Sequence, residues 1–166
     1  MTDALFPGAW RALAADVLER YRRAGLKLAT AESCTGGLVA ATLTAIPGSS
    51  DVVERGFATY SNEAKEKMLG VPRVTLLSYG AVSEPVARAM AEGAVAESLA
   101  DVAVSITGVA GPGGGSAEKP IGLVHFGCAR RGRQTVTARH IFPGDRDEVR
   151  ARAVEAALKM LVDAAG

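Results

Sequence analysis

Val102-Ala103-Val104-Ser105-Ile106 runs without a break into Thr107-Gly108-Val109-Ala110-Gly111-Pro112-Gly113-Gly114-Gly115-Ser116. The first five residues are short, largely apolar and rich in β-branching, which reads as a buried strand. The segment behind it holds five glycines in the eight positions 108–115. That density implies positive φ or close backbone approach at several points, as phosphate-cradling loops require. No Gly-Lys-Ser/Thr follows at Walker spacing. A polar segment and a strand come next where a dinucleotide fingerprint would need a helix. A loop so rich in glycine inside a compact domain points to function more than to a slack connection.

Upstream, Trp10, Leu13, Ala14, Val17, Leu18 and Tyr21 share one helical face between Pro7 and Gly25. Leu26–Thr30 reads as a strand, and Ser33-Cys34-Thr35-Gly36-Gly37 opens a helix to about Ala45, ended by Pro47-Gly48. Val52–Tyr60 is the next strand. Ser61 caps a helix through Leu69 that Gly70 closes. Ser83 caps another, with Glu84 and Pro85 in its first turn. Downstream, strands over 121–129 and 135–142 form a hairpin around Arg130-Arg131-Gly132-Arg133. The last helix starts at Asp145, with Glu148 completing a capping box. This order predicts an α/β fold: a single-domain three-layer α/β/α sandwich with a mixed sheet, spanning 1–166, with residues 1–9 as a loosely attached extension.

The chain has 166 residues, with 19 Lys and Arg against 18 Asp and Glu, for a net charge of +1. It lacks the general field that would draw nucleic acid, so an anion must be held locally. Apolar residues make up 48% and charged residues 22%, the balance of a folded soluble domain. Cys34 and Cys128 are too few for a disulfide framework or a four-ligand zinc site. His125 and His140 have no ligand at metal spacing, so no metal is expected. The start resembles no signal peptide, and the uncharged stretch 33–50 is broken by glycine and proline. A cytoplasmic protein without membrane partners is expected.

Four stretches could carry chemistry. Ser33, at a strand end leading into a helix, could be a nucleophile with backbone amides beside it, or Ser33 or Thr35 could simply cap that helix. Lys65 in Thr59-Tyr60-Ser61-Asn62-Glu63-Ala64-Lys65 could reach back over the strand ends as a base if its pKa falls. Glu63, Glu66 and Lys67 argue equally for a solvated face. The glycine loop is the third stretch. Arg146, near the start of the last helix, could clamp a phosphate or sit on the surface. Cys34 reads as a buried, inert thiol.

Together the series AESCTGG, GSS, TYSNEAK, GAVSEP, SITGVAGPGGGSAEKPIG and GDRD resembles the CinA C-terminal domain family, the nicotinamide mononucleotide deamidases. The resemblance covers residues from about 10 to 163, with small departures at Gly-Pro-Gly-Gly-Gly and Ile121-Gly122-Leu123-Val124. It implies a stand-alone amidase without the N-terminal domain of many relatives, a homodimer, and a metal- and cofactor-free reaction. Nicotinamide mononucleotide would be hydrolysed to nicotinic acid mononucleotide and ammonia. On that reading Ser33 attacks the carboxamide, Lys65 shuttles the proton, and Tyr60 hydrogen-bonds Lys65 or the carboxamide. Amides of Thr35, Gly36 and Gly37 bind the oxyanion. Ser50, Asn62, Thr107, Gly108, Gly111, Gly114 and Arg146 complete the substrate site. A non-catalytic pyridine-nucleotide sensor is the alternative. A Mg²⁺-dependent pyrophosphatase ranks behind it, because Glu32, Glu63 and Glu84 show no paired spacing.

Overall fold

The computed structural model describes residues 4–166. In chain order the elements are α1 (Gly8–Ala24), β1 (Leu28–Glu32), α2 (Leu38–Thr44), a 3-10 turn at Ser49–Asp51, and β2 (Val53–Ala58). Then come α3 (Asn62–Leu69), α4 (Arg73–Tyr79), α5 (Glu84–Ala96), β3 (Val102–Gly108), β4 (Leu123–Arg130), β5 (Val136–Ile141) and α6 (Arg146–Ala164). The sheet order is β2-β1-β3-β4-β5. β1 runs parallel to β2 and β3, and β4 antiparallel to β3 and β5. The expected mixed sheet is therefore present, with β3 at its centre.

Alternation along β3 divides the core. Val102, Val104 and Ile106 pack with Val17, Val154 and Leu158 beneath α1, α2 and α6. Ala103 joins Ala29, Ala31 and Ala129 against Val86, Met90 and Ala94 of α5. Small side chains on this second face let α5 lie close to the strands: a Cβ on Gly127 would stand 2.6 Å from the Ala87 carbonyl oxygen. The abundance of alanine and glycine thus has a packing cause.

Several boundaries differ from the sequence reading, each for a local reason. β1 begins at Leu28, two residues late, because Gly25 and Leu26 donate their N–H groups to Arg22 and Tyr21 carbonyls in closing α1. α2 begins at Leu38, since residues 33–36 form a turn and Gly37, with φ at 106°, sits at the cap position. Ser83 precedes α5, but its hydroxyl donates to Gly80 O and caps nothing. α4 was not foreseen. Val74, Leu77 and Tyr79 face solvent and only Leu76 is buried, so no apolar stripe announces it. The caps at Ser61 and Asp145 form as predicted, the second with both halves of its box. Residues 1–3 of the expected extension lie outside the described residues. Phe6 is buried and stacks on Trp10 at 6.3 Å, so the chain joins the packed body before α1 begins.

Candidate active site

Three parallel strands end on the same edge of the sheet, and the segments leaving β1, β2 and β3 meet there. Between them lies a cleft of roughly 330 Å³ lined by Ser33, Cys34, Tyr60, Asn62, Lys65, Thr107, Gly108, Gly111, Gly114 and Arg146, among others. The topology thus brings together residues from four distant stretches of sequence.

Lys65 lies in the first turn of α3, which the Ser61 hydroxyl starts by accepting the Ala64 N–H at 3.0 Å. Its side chain is 1% exposed and directed back under the strand ends. Nζ lies 3.1 Å from Ser33 Oγ and donates to the Thr59 carbonyl at 2.8 Å. Burial lowers its pKa below the ordinary 10.5. The choice between a solvated face and an inward lysine is therefore decided for the inward one. Ser33 is held by its N–H on Ile106 O at 2.9 Å and by Gly36 N–H on its own carbonyl at 3.0 Å.

Glu32 is weighed in the sequence only as a possible metal carboxylate, and Arg150 is not singled out there at all. Glu32 is wholly buried, and its carboxylate accepts the Thr35 hydroxyl (2.6 Å), Val39 N–H (2.9 Å) and Ala40 N–H (3.1 Å). The protein's own carboxylate thereby caps α2, which takes those amides away from any external anion. Its signal was a carboxylate on the same strand face as Leu28 and Thr30, immediately ahead of a glycine turn. Arg150 Nε donates to Cys34 O at 3.1 Å and Nη2 to Thr35 O at 3.4 Å. Its signal was its position one helical turn beyond Arg146.

The predicted substrate residues separate into two groups. Asn62, Thr107, Gly108, Gly111, Gly114 and Arg146 line the cleft. Thr107 Oγ1 donates to Ala81 O at 2.8 Å, and the β3 end is tight enough that a Cβ on Gly108 would lie 2.8 Å from Leu123 O. Arg146 Nη1 donates to Gly111 O at 2.9 Å and Nη2 to Tyr60 Oη at 3.1 Å, bridging both sides of the mouth. The Tyr60 hydroxyl is paired with Arg146, not with Lys65 as one expectation had it. Thr35, Gly36 and Gly37 are not among the residues lining the cleft, and Thr35 is fully buried.

Ser50 is a correction. It belongs to the turn before β2, at the Leu28 end of β1, whereas Ser33 follows the other end of that strand. α2 carries the chain back along the sheet, so five residues of strand, about 17 Å, separate the two levels. Cys34 is buried and its thiol is pushed up to about 11 by that burial, which leaves it protonated near neutrality. Among the described residues no group of three His, Cys, Asp or Glu is placed to hold a metal ion, and no helix is long and apolar enough to cross a membrane.

The profile of the CinA C-terminal domain matches residues 11–165. The chain belongs to this family. The nicotinamide-nucleotide amidohydrolase PncC of Escherichia coli K12 is 52% identical over 149 residues, 90% of each protein. A CinA-like protein of Akkermansia muciniphila is 55% identical over 84% of this chain but only 34% of its own length, so the chain spans about a third of that relative. Among solved structures, the competence/damage inducible protein CihA of Agrobacterium tumefaciens superposes with a TM-score of 0.94 at 49% identity, covering 96% of this chain and 98% of that one. A CinA superfamily protein of Escherichia coli gives 0.90 at 38% identity. This CinA-family domain shares its α/β architecture with both.

Proposed function

We propose that this CinA-family domain is a nicotinamide-nucleotide amidohydrolase, acting as one unit over residues 1–166. It converts nicotinamide mononucleotide and water to nicotinic acid mononucleotide and ammonia. The observation that carries the reading is Lys65 Nζ at 3.1 Å from Ser33 Oγ, buried in a cleft whose far wall is a glycine loop. The amidohydrolase name of the Escherichia coli relative, which aligns over 90% of both chains, supports the same substrate.

The chemistry follows from the geometry. An amide is a poor electrophile and its nitrogen a poor leaving group, so both attack and departure need proton transfer. In its amine form Lys65 keeps an N–H on Thr59 O while its lone pair takes the Ser33 proton. The Ser33 Oγ–carbon bond forms and the carbonyl electron pair moves to oxygen. Collapse of this intermediate breaks the carbon–nitrogen bond as Lys65 returns the proton, and ammonia leaves. Water, deprotonated by Lys65, then attacks the ester carbon; the carbon–Oγ bond breaks, Lys65 returns the proton to Ser33, and the acid is freed. Burial serves this cycle by keeping the lysine partly unprotonated at lower pH than in water.

The nucleotide phosphate is assigned to Arg146, whose five N–H donors exceed the two engaged by Tyr60 and Gly111, together with the Thr107–Gly114 loop and Asn62. Tyr60, exposed at the mouth, contacts the substrate from its far side. The same reading includes a cytoplasmic setting and a homodimer. Support for the dimer comes from the exposed Val74 (68%), Leu77 (78%) and Tyr79 (56%) on α4, an apolar face left uncovered by the described residues. Sedimentation at micromolar concentration checks it.

Ammonia release from nicotinamide mononucleotide, measured without added metal beside Ser33→Ala, tests the activity. Release by the wild type alone supports the reading. Saturable binding without release favours a pyridine-nucleotide sensor instead.

A further inference from the structure

The charges around the cleft are one-sided. Among the described residues that line it, Lys65 and Arg146 are the charged ones, and no Asp or Glu stands with them. The carboxylates of the elements packed around Lys65 are committed elsewhere. Glu32, at the end of β1, accepts the Thr35 hydroxyl and two α2 amides. On α3, Glu63 is exposed and Glu66 lies 3.9 Å from Arg73. Glu84 of α5 pairs with Arg88 at 2.8 Å. At the start of α6, Asp145 and Glu148 hold each other's N–H groups and Asp147 is exposed. The Cys34 thiol stays protonated near neutrality, and Arg150 donates to the Cys34 and Thr35 carbonyls.

Nicotinamide mononucleotide brings charges of its own. Its phosphate, at about −1.5 to −2 near neutrality, is assigned to Arg146. Its ring nitrogen is quaternary, so the ring is positive at every pH. In the attacking geometry the carboxamide carbon stands about 3–3.5 Å from Ser33 Oγ. Lys65 Nζ is 3.1 Å from the same oxygen. The ring nitrogen, meta to the carboxamide, then falls about 6 Å from Nζ. Two positive charges at about that separation move a proton equilibrium by about 10–100-fold. Lys65 is 1% exposed, so little water screens the pair. Burial and a neighbouring like charge act in the same direction on an ammonium, and both expel its proton.

We infer that the substrate generates its own catalytic base: entry of the cationic ring into a cleft without an acidic side chain expels the Lys65 proton to solvent, and an amide on a neutral ring of the same shape does not. The inference rests on the proposed hydrolysis of nicotinamide mononucleotide, and it names the feature of that substrate which the site exploits. It also orders the cycle. The bound ring removes the lysine proton before Ser33 attacks. Hydrolysis then turns the carboxamide into a carboxylate, which offsets the ring charge beside Lys65 and favours return of a proton.

Calorimetric binding to Ser33→Ala, in buffers of different ionisation enthalpy, counts the released protons without turnover. Nicotinamide mononucleotide should release up to one proton, most where the pH lies between the Lys65 values of the bound and free protein. Its Kd should fall about 10–100-fold as pH rises through that interval. Reduced nicotinamide mononucleotide has a neutral dihydropyridine ring, and in nicotinic acid mononucleotide the carboxylate offsets the ring. Both carry the same phosphate, and both should lack the extra release. Adding Lys65→Met to Ser33→Ala should abolish the difference between the ligands. Lys65→Arg, which cannot give up its proton, makes the same test if the Met variant does not fold. Equal release by all three nucleotides, or a difference that survives the loss of Lys65, would overturn the inference. If no proton is released at any pH while the wild type frees ammonia, the inference falls and the proposed function stands. A wild type that frees no ammonia removes the proposed function, and the inference with it.

Discussion

The two ends of the parallel strands carry similar residues and do opposite things with them. At the β1 and β2 exits, Ser33, Lys65 and Arg146 surround a cleft. At the other end stand Gly48, Ser49, Ser50 and the arginines around 130–133, a set that resembles an anion site equally well on paper. There each arginine is engaged by the fold itself. Arg22 donates to Gly48 O, Arg130 and Arg133 to carbonyls at the end of α6, and Arg131 to Val95, Ser98 and Ala100 carbonyls. Composition is shared between the ends; a serine–lysine contact inside a cleft is not. A parallel strand feeds successive loops to its exit edge, so that edge gathers residues from distant parts of the chain while the other anchors helix ends.

Removing the nucleophile tests the exit edge most severely. Ser33→Ala should lower ammonia release by at least about 10⁴-fold while leaving Tm within a few degrees, because Ser33 is only half-buried. Retained turnover would mean the 3.1 Å contact is a structural hydrogen bond. Lys65→Met should cost about 10²–10⁴-fold. Lys65 also has a pH signature. Its folded pKa lies below the unfolded value, so the native enzyme gains active base as pH rises through the folded value, and wild-type turnover should climb there. Between the two values the unfolded chain binds more protons than the native one, so wild-type stability rises with pH. The Tm difference between wild type and Lys65→Met should move in favour of the wild type as pH approaches 10.5. A difference that stays constant with pH would mean the lysine is not held in a low-pKa state.

Arg146 gives a smaller effect. Arg146→Ala removes a guanidinium that bridges Tyr60 and Gly111, and KM for nicotinamide mononucleotide should rise about 10–100-fold with turnover less affected. If turnover fell instead, the arginine would be ordering the catalytic pair and the phosphate assignment would be lost.

Much of this was legible along the chain because it was written in local chemistry. The caps at Ser61 and Asp145, the apolar stripes of α1 and α6, and the strand that ends in the glycine loop all act over a few residues. What was missed acts across the fold. Glu32 reads as a lone carboxylate until α2 folds back and brings Val39 and Ala40 over it. Arg150 carries no local mark in the sequence and gains its contacts only when α6 packs behind the Ser33 turn. Lys65 hovered between exposed and buried because its neighbours on α3 are charged, and only the path of β2 into α3 turns it inward. Ser50 failed in the reverse direction. Its motif stands between two site segments in sequence, but nearness along the chain says nothing about which end of a strand a loop occupies.

Ser50 therefore offers the gentlest and most discriminating perturbation of the contrast between the ends. Its hydroxyl is exposed, sits a full strand length from Ser33, and touches nothing in the cleft of its own chain. Ser50→Ala should leave turnover and KM for nicotinamide mononucleotide within about twofold of wild type, as expected of a surface substitution. A clear rise in KM would restore Ser50 to the substrate site. Because β1 separates it from the cleft of its own chain, it could act only on the cleft of a second copy. Mixing Ser50→Ala with Ser33→Ala protein would then test that arrangement: each variant lacks one component, and a mixed dimer would regain one complete site.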